Sequence, residues 1–111
     1  MDIKIAQQAI RKIFADITPP NKRLGTLEYQ WVMDTENHHY QVLITGWEGV
    51  TRVHDVIVQI DLRDGFVWLQ QDNTDYGVAD ELMRQGIAQN EIVLGFHMPK
   101  TRPLTGFATG K

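Results

Sequence analysis

The sequence predicts an α+β domain: an N-terminal helix, a four-stranded antiparallel meander, a second helix, then a short apolar segment and an irregular tail, with the helices on one face of the sheet. Three observations carry that prediction. Apolar residues recur at three- and four-residue spacing over residues 2–17, they alternate with polar ones between residues 27 and 72, and Asp64-Gly65 separates two β-rich runs. The 111 residues fit one domain spanning 1–111, with no repeat, low-complexity tract or linker dividing them.

The first helix rests on the stripe Ile3, Ala6, Ile10, Ile13, Phe14 and Ile17, with Gln7, Gln8, Arg11 and Lys12 on its other side. Pro19-Pro20 stops it, because a proline biases the residue before it away from helical geometry. Such a stripe packs on a sheet or pairs with another chain. Residues 27–34 alternate, with Leu27, Tyr29, Trp31 and Met33 on one face, as a half-buried strand requires. Thr35-Glu36-Asn37-His38 reads as a turn, and residues 39–47 as a second strand with Tyr40, Val42 and Ile44 sharing a face opposite Leu43 and Trp47.

Residues 51–63 and 66–72 form the clearest pair. Both Asp and Gly tolerate positive φ, so Asp64-Gly65 makes a two-residue hairpin and fixes the register: Arg63 opposite Phe66, Leu62 opposite Val67, Asp61 opposite Trp68. Val56, Val58, Ile60, Leu62, Val67 and Leu69 then share the core face. Ile57, Gln59, Asp61, Phe66, Trp68 and Gln70 share a second face that mixes aromatics with amides and a carboxylate. Residues 76–85 read as the second helix, with Asp75 as N-cap, Val78, Ala79, Leu82 and Met83 buried, and Gly86 as a left-handed terminator that lets Ile87 touch Leu82. Ile92-Val93-Leu94 is a strand or a buried turn. The proline- and glycine-containing tail is expected to be pinned by Phe96, Leu104 and Phe107.

Composition removes several chemistries. The chain has no cysteine and no serine, so thiolate zinc, iron–sulfur and Ser or Cys nucleophiles are excluded. It has no phosphate-cradling glycine motif. His38 and His39 are adjacent, so in extended chain they point to opposite faces and cannot chelate one ion together. No metal or cofactor site is predicted. Asp61 attracts attention as a mid-strand carboxylate beside Trp68; hydrogen bonding to Gln59 or Gln70, or plain exposure, is favoured over a catalytic role. No run is long enough to span a membrane and the N-terminus has no uninterrupted apolar signal core, so a cytoplasmic, soluble protein is expected.

The net charge of −3 is unevenly spread: +3 over residues 1–23, −9 over 24–95 and +3 over 96–111. The acidic middle disfavours a duplex reader, because phosphate neutralisation supplies most non-specific DNA affinity. The period-two aromatics Tyr29/Trp31 and Phe66/Trp68 are then better suited to the core or to a protein interface than to base stacking.

The order of several short stretches resembles the XisI-like family, named for the cyanobacterial fdxN element excision controlling factor. They are Asp34-Thr35-Glu36 with His39-Tyr40-Gln41; Gly46-Trp47 with Arg52-Val53; Ile60-Asp61, Asp64-Gly65 and Trp68; Asp72-Asn73-Thr74; Ala79 with Glu81-Leu82; Ile92-Val93-Leu94-Gly95-Phe96-His97; and Thr105-Gly106-Phe107-Ala108. The sequence departs from the family pattern at Gln59, where many relatives are expected to carry histidine, at Asp55, where glycine is expected, and beyond Ala108. The resemblance implies a controlling factor that works with an XisH-like, nuclease-like protein in excising a DNA element during heterocyst development. It implies no catalytic residues.

Residues and resemblance together predict a non-enzymatic accessory module that binds a protein, with Asp61, Phe66, Trp68, Gln70, His97, Lys100 and Arg102 as contacts. Two other readings stay open: a small enzyme built on Asp61, His54 and His97, and weak nucleic-acid binding through the basic ends. A twofold homodimer is the default assembly for such a domain.

Overall fold

A computed structural model describes all of residues 1–111. Asp2 begins the first helix, α1 (Ile3–Ile17), by accepting from the amides of Lys4 at 2.8 Å and Ile5 at 3.2 Å. These are two of the donors that a helix start leaves without an intrahelical partner. Ala6, Ala9, Ile10, Ile13 and Phe14 are its buried residues, while Ile3 stays 44% exposed. Thr18 ends α1 in extended conformation before Pro19, and its carbonyl accepts from Trp31 Nε1 at 3.0 Å. Phe14 meets Trp31 edge to face with centroids 5.9 Å apart.

The sheet has six strands in sequential order: β1 (Arg23–Leu24), β2 (Leu27–Asp34), β3 (His39–Glu48), β4 (Thr51–Arg63), β5 (Phe66–Asp72) and β6 (Ile92–Leu94). The predicted four-strand meander is therefore its centre, and the sheet is mixed rather than purely antiparallel. β1 adds a short antiparallel edge, and β6 pairs parallel to β5. The parallel pair follows from the intervening helix, since parallel neighbours need a crossover connection.

The Asp64-Gly65 hairpin has the predicted form. Both residues have positive φ, at 55° and 82°, and Arg63–Phe66, Leu62–Val67 and Asp61–Trp68 are directly paired. Two bulges alter the predicted faces. Val42 pairs with Val58 but Leu43 pairs with Val56, leaving Ile57 as an extra residue in β4. Ile57 therefore packs partly on the core, and Val56 moves to Leu43's face instead of the core. Gln70 is likewise the extra residue of β5, between the pairs Ile60–Leu69 and Gln59–Gln71.

The second helix, α2 (Val78–Arg84), is shorter than the sequence suggested, and Asp75 is not its cap. Gly77 occupies that position at φ 81°, a conformation that costs glycine little. Asp72, at the end of β5, supplies the carboxylate instead. Its two oxygens accept from the Thr74 amide and hydroxyl and from the Val78 amide. The helix ends as predicted: Gly86 has φ 103°, its amide donates to Met83, and the Ile87 amide donates to Leu82.

Both helices cover the face that carries Tyr40, Val42, Val58, Ile60, Leu62, Val67 and Leu69, all buried. No helix is long and apolar enough to cross a membrane. The tail is irregular, but Phe96 is 52% and Leu104 85% exposed, so of the three expected pins only Phe107 packs against the core. Ala108 instead forms a parallel bridge to Val93, its amide donating to the Ile92 carbonyl at 2.8 Å.

Candidate functional site

The site lies on the sheet face turned away from the helices, where one rung crosses five elements: Asp34, His39, Asp61, Trp68 and Val93, continued by the bridge to Ala108. Side chains on one rung share a face, because successive residues of a strand alternate. Asp61 is the buried centre of this row at 7% exposure. One carboxylate oxygen meets His39 Nδ1 at 2.9 Å and accepts from Gln59 Nε2 at 3.2 Å, while the other accepts from Gln70 Nε2 at 3.1 Å. Gln41 extends the chain of amides by donating to Gln59 at 2.8 Å. A buried carboxylate is tolerated only with such partners. The expected bonds to Gln59 and Gln70 are both present.

Asp34 closes the other end of the rung. The Asn37 backbone amide, followed by the Asn37 side chain, holds its carboxyl below the usual range; the Glu36 amide and nearby His39 add to the effect. His38 points elsewhere, with Nδ1 3.0 Å from the Tyr40 hydroxyl, so the adjacent histidines do serve different partners.

Trp68 is 7% exposed, and its Nε1–H is buried with no acceptor among the protein's own groups. An orphaned buried donor costs on the order of 1–3 kcal/mol. Two guanidinium groups stand near the ring, Arg63 at 4.2 Å and Arg102 at 5.2 Å from its centroid. Arg102 also ties down the segment that covers Trp68. Its Nε donates to the His97 carbonyl at 3.1 Å, and an Nη donates to the Gly95 carbonyl at 3.4 Å. Gly110 passes so close that a Cβ there would lie 2.6 Å from the indole edge. Trp68, Pro99, Arg102, Pro103, Thr109 and Gly110, with Lys111, line a cleft of about 370 Å³.

The predicted contacts thus divide. Asp61, Trp68, Gln70 and Arg102 form one connected cluster. Phe66 sits half-buried beside it, paired with Arg63 at the hairpin. His97 joins only through its backbone carbonyl, its ring lying 4.8 Å from that of Phe96. Lys100 is exposed and makes no hydrogen bond or ion pair with the cluster. The enzyme constellation is not assembled: His54 pairs with the Thr45 hydroxyl at 3.2 Å, seven residues along β4 from Asp61. Seven strand residues span roughly 23 Å. No three His, Asp or Glu side chains converge as metal ligands.

The XisI protein family model matches residues 1–109. The chain belongs to the XisI family. A XisI-like protein from Anabaena variabilis superposes with TM-score 0.84 at 31% identity, covering 96% of each chain. The fdxN element excision controlling factor XisI from the same organism superposes with TM-score 0.78 at 31% identity, covering 96% of this chain and 93% of that one. No curated protein matches. Within this XisI-family chain, Gln59 belongs to the site as the expected partner of Asp61, and His39, Gln41 and Arg63 belong to it although sequence reasoning did not select them. Arg63 was discoverable, because the hairpin register places it beside Phe66 and two residues from Asp61. His39 was not, because its pairing to Asp61 depends on the alignment of β3 with β4, which the bulge at Ile57 shifts.

Proposed function

We propose that this XisI-family chain is a non-catalytic controlling factor that works in the cytoplasm by docking on a protein partner. The partner is an XisH-like protein of nuclease-like fold, in the excision of a DNA element or a related DNA-processing system. The observation that carries the reading is the Trp68 cluster: an aromatic ring close to two guanidinium groups, fixed beside the fully hydrogen-bonded Asp61. Arginine is enriched at protein interfaces, and Trp68, 7% exposed, supports Arg102 and its segment from beneath. The segment laid over Trp68 exposes Phe96 at 52%, Met98 at 57% and Leu104 at 85%, and supplies an apolar rim. Similarity to the fdxN element excision controlling factor XisI of Anabaena variabilis supports the excision context. Nucleic acid is reached through the partner, since the −9 charge of residues 24–95 repels phosphate.

The test is co-purification with an XisH-like protein from the same genome. Leu104→Asp removes rim apolarity at an exposed position and leaves the fold intact, so it is expected to lose the partner. Full capture by a folded Leu104→Asp variant contradicts the reading.

A further inference from the structure

We propose that the cleft over Trp68 receives a carboxylate side chain from an acidic peptide segment of the protein partner. The inference rests on the docking reading above and gives its chemistry. The side chains of the lining offer donors and cations but no carboxylate. Arg102 and Lys111 are cationic, and residues 96–111 contain three basic residues and no acid. Neither Arg63 nor Arg102 has a carboxylate partner, although both guanidinium groups stand near the Trp68 ring. Arg102 spends its Nε and one Nη on backbone carbonyls, leaving its other Nη without a protein acceptor. Trp68 forms part of the wall, and its Nε1–H, buried beneath that wall, has no acceptor among the protein's own groups. Unpaired donors beside fixed positive charge favour an anionic oxygen ligand.

Charge and shape select a short acidic peptide over a nucleic acid. The basic area is local, and the rest of the sheet belongs to a stretch of net charge −9, which repels an extended phosphodiester chain. The exposed Phe96, Met98 and Leu104 on the same segment suit apolar side chains flanking the acid.

The experiment uses the full chain and acetylated, amidated hexaglutamate as probe, followed by two-dimensional amide NMR. The chain has three tryptophans, and Trp68→Phe assigns the Trp68 indole signal by its disappearance. Saturable movement of that indole Nε1–H signal is expected, with the other two unmoved and roughly tenfold weaker binding in Arg102→Gln, about 1.4 kcal/mol. If Arg102→Gln loosens the segment, the unmodified chain decides alone. No movement, or tighter binding of inorganic phosphate or oligothymidylate than of hexaglutamate, overturns the proposal. The two readings fail separately. Capture of the partner with a silent hexaglutamate titration removes the acidic ligand and keeps docking. Hexaglutamate binding with no capture by any form removes docking and keeps the site.

Discussion

The two ends of β4 carry similar parts in different settings. At one end His39 faces Asp61, and Trp68 lies near Arg63 and Arg102. At the other His54 faces the Thr45 hydroxyl, and Trp47 lies 5.5 Å from Arg52. The difference is cover. The C-terminal segment lies over Trp68 and leaves it 7% exposed, whereas Trp47 is 49% exposed and Val50, in the adjoining turn, is 97% exposed. Burial makes each polar contact matter, because an unpaired group cannot fall back on water. The same residue types are thus a fixed platform at one end and a solvated hairpin tip at the other.

That contrast breaks first if the two tryptophans prove equivalent. Trp68→Ala is expected to cost about 3–5 kcal/mol in urea denaturation, as for other buried aromatics, and Trp47→Ala under about 1 kcal/mol. Next come two carboxylates of the same strand. Asp61→Ala strands the Gln59 and Gln70 amides and should cost about 2–3 kcal/mol. Asp55, exposed in the distal half of β4, should tolerate alanine within about 0.5 kcal/mol. Similar losses at both positions in the same denaturation assay would show that cover does not set the energetics.

The smallest effect is a pH dependence. Asp34 titrates below its ordinary value of 3.8, held chiefly by the Asn37 amide. A depressed folded value means the contribution is complete above the ordinary value and disappears as pH falls through the folded one. The melting temperature should therefore decline in acid, and Asp34→Asn should flatten that decline. An unchanged slope would remove Asp34 from the stability of the rung's exposed end.

Much of the fold was legible because local chemistry decided it. Asp64-Gly65 set both turn and register, Pro19 ended α1, and Gly86 ended α2 with Ile87 folded back on Leu82. What escaped depended on partners distant in sequence. The cap of α2 comes from Asp72 on the preceding strand, which no rule of adjacency favours over Asp75. The bulges at Ile57 and Gln70 are single extra residues with no glycine to mark them. The tail's anchor is a guanidinium bound to two carbonyls, so hydrophobicity pointed wrongly to Phe96 and Leu104. Within the site, Asp61 and Trp68 were found because the hairpin places them opposite each other, while Arg102 was selected from its segment and its stacking emerged only from the fold.

The most direct measurement compares capture of the XisH-like partner by Leu104→Asp and Val50→Asp, matched charge insertions at residues 85% and 97% exposed on the two ends. The account predicts that Leu104→Asp loses the partner and Val50→Asp keeps it. Loss with Val50→Asp and retention with Leu104→Asp would contradict it, and would move the docking surface to the tip of the β3–β4 hairpin.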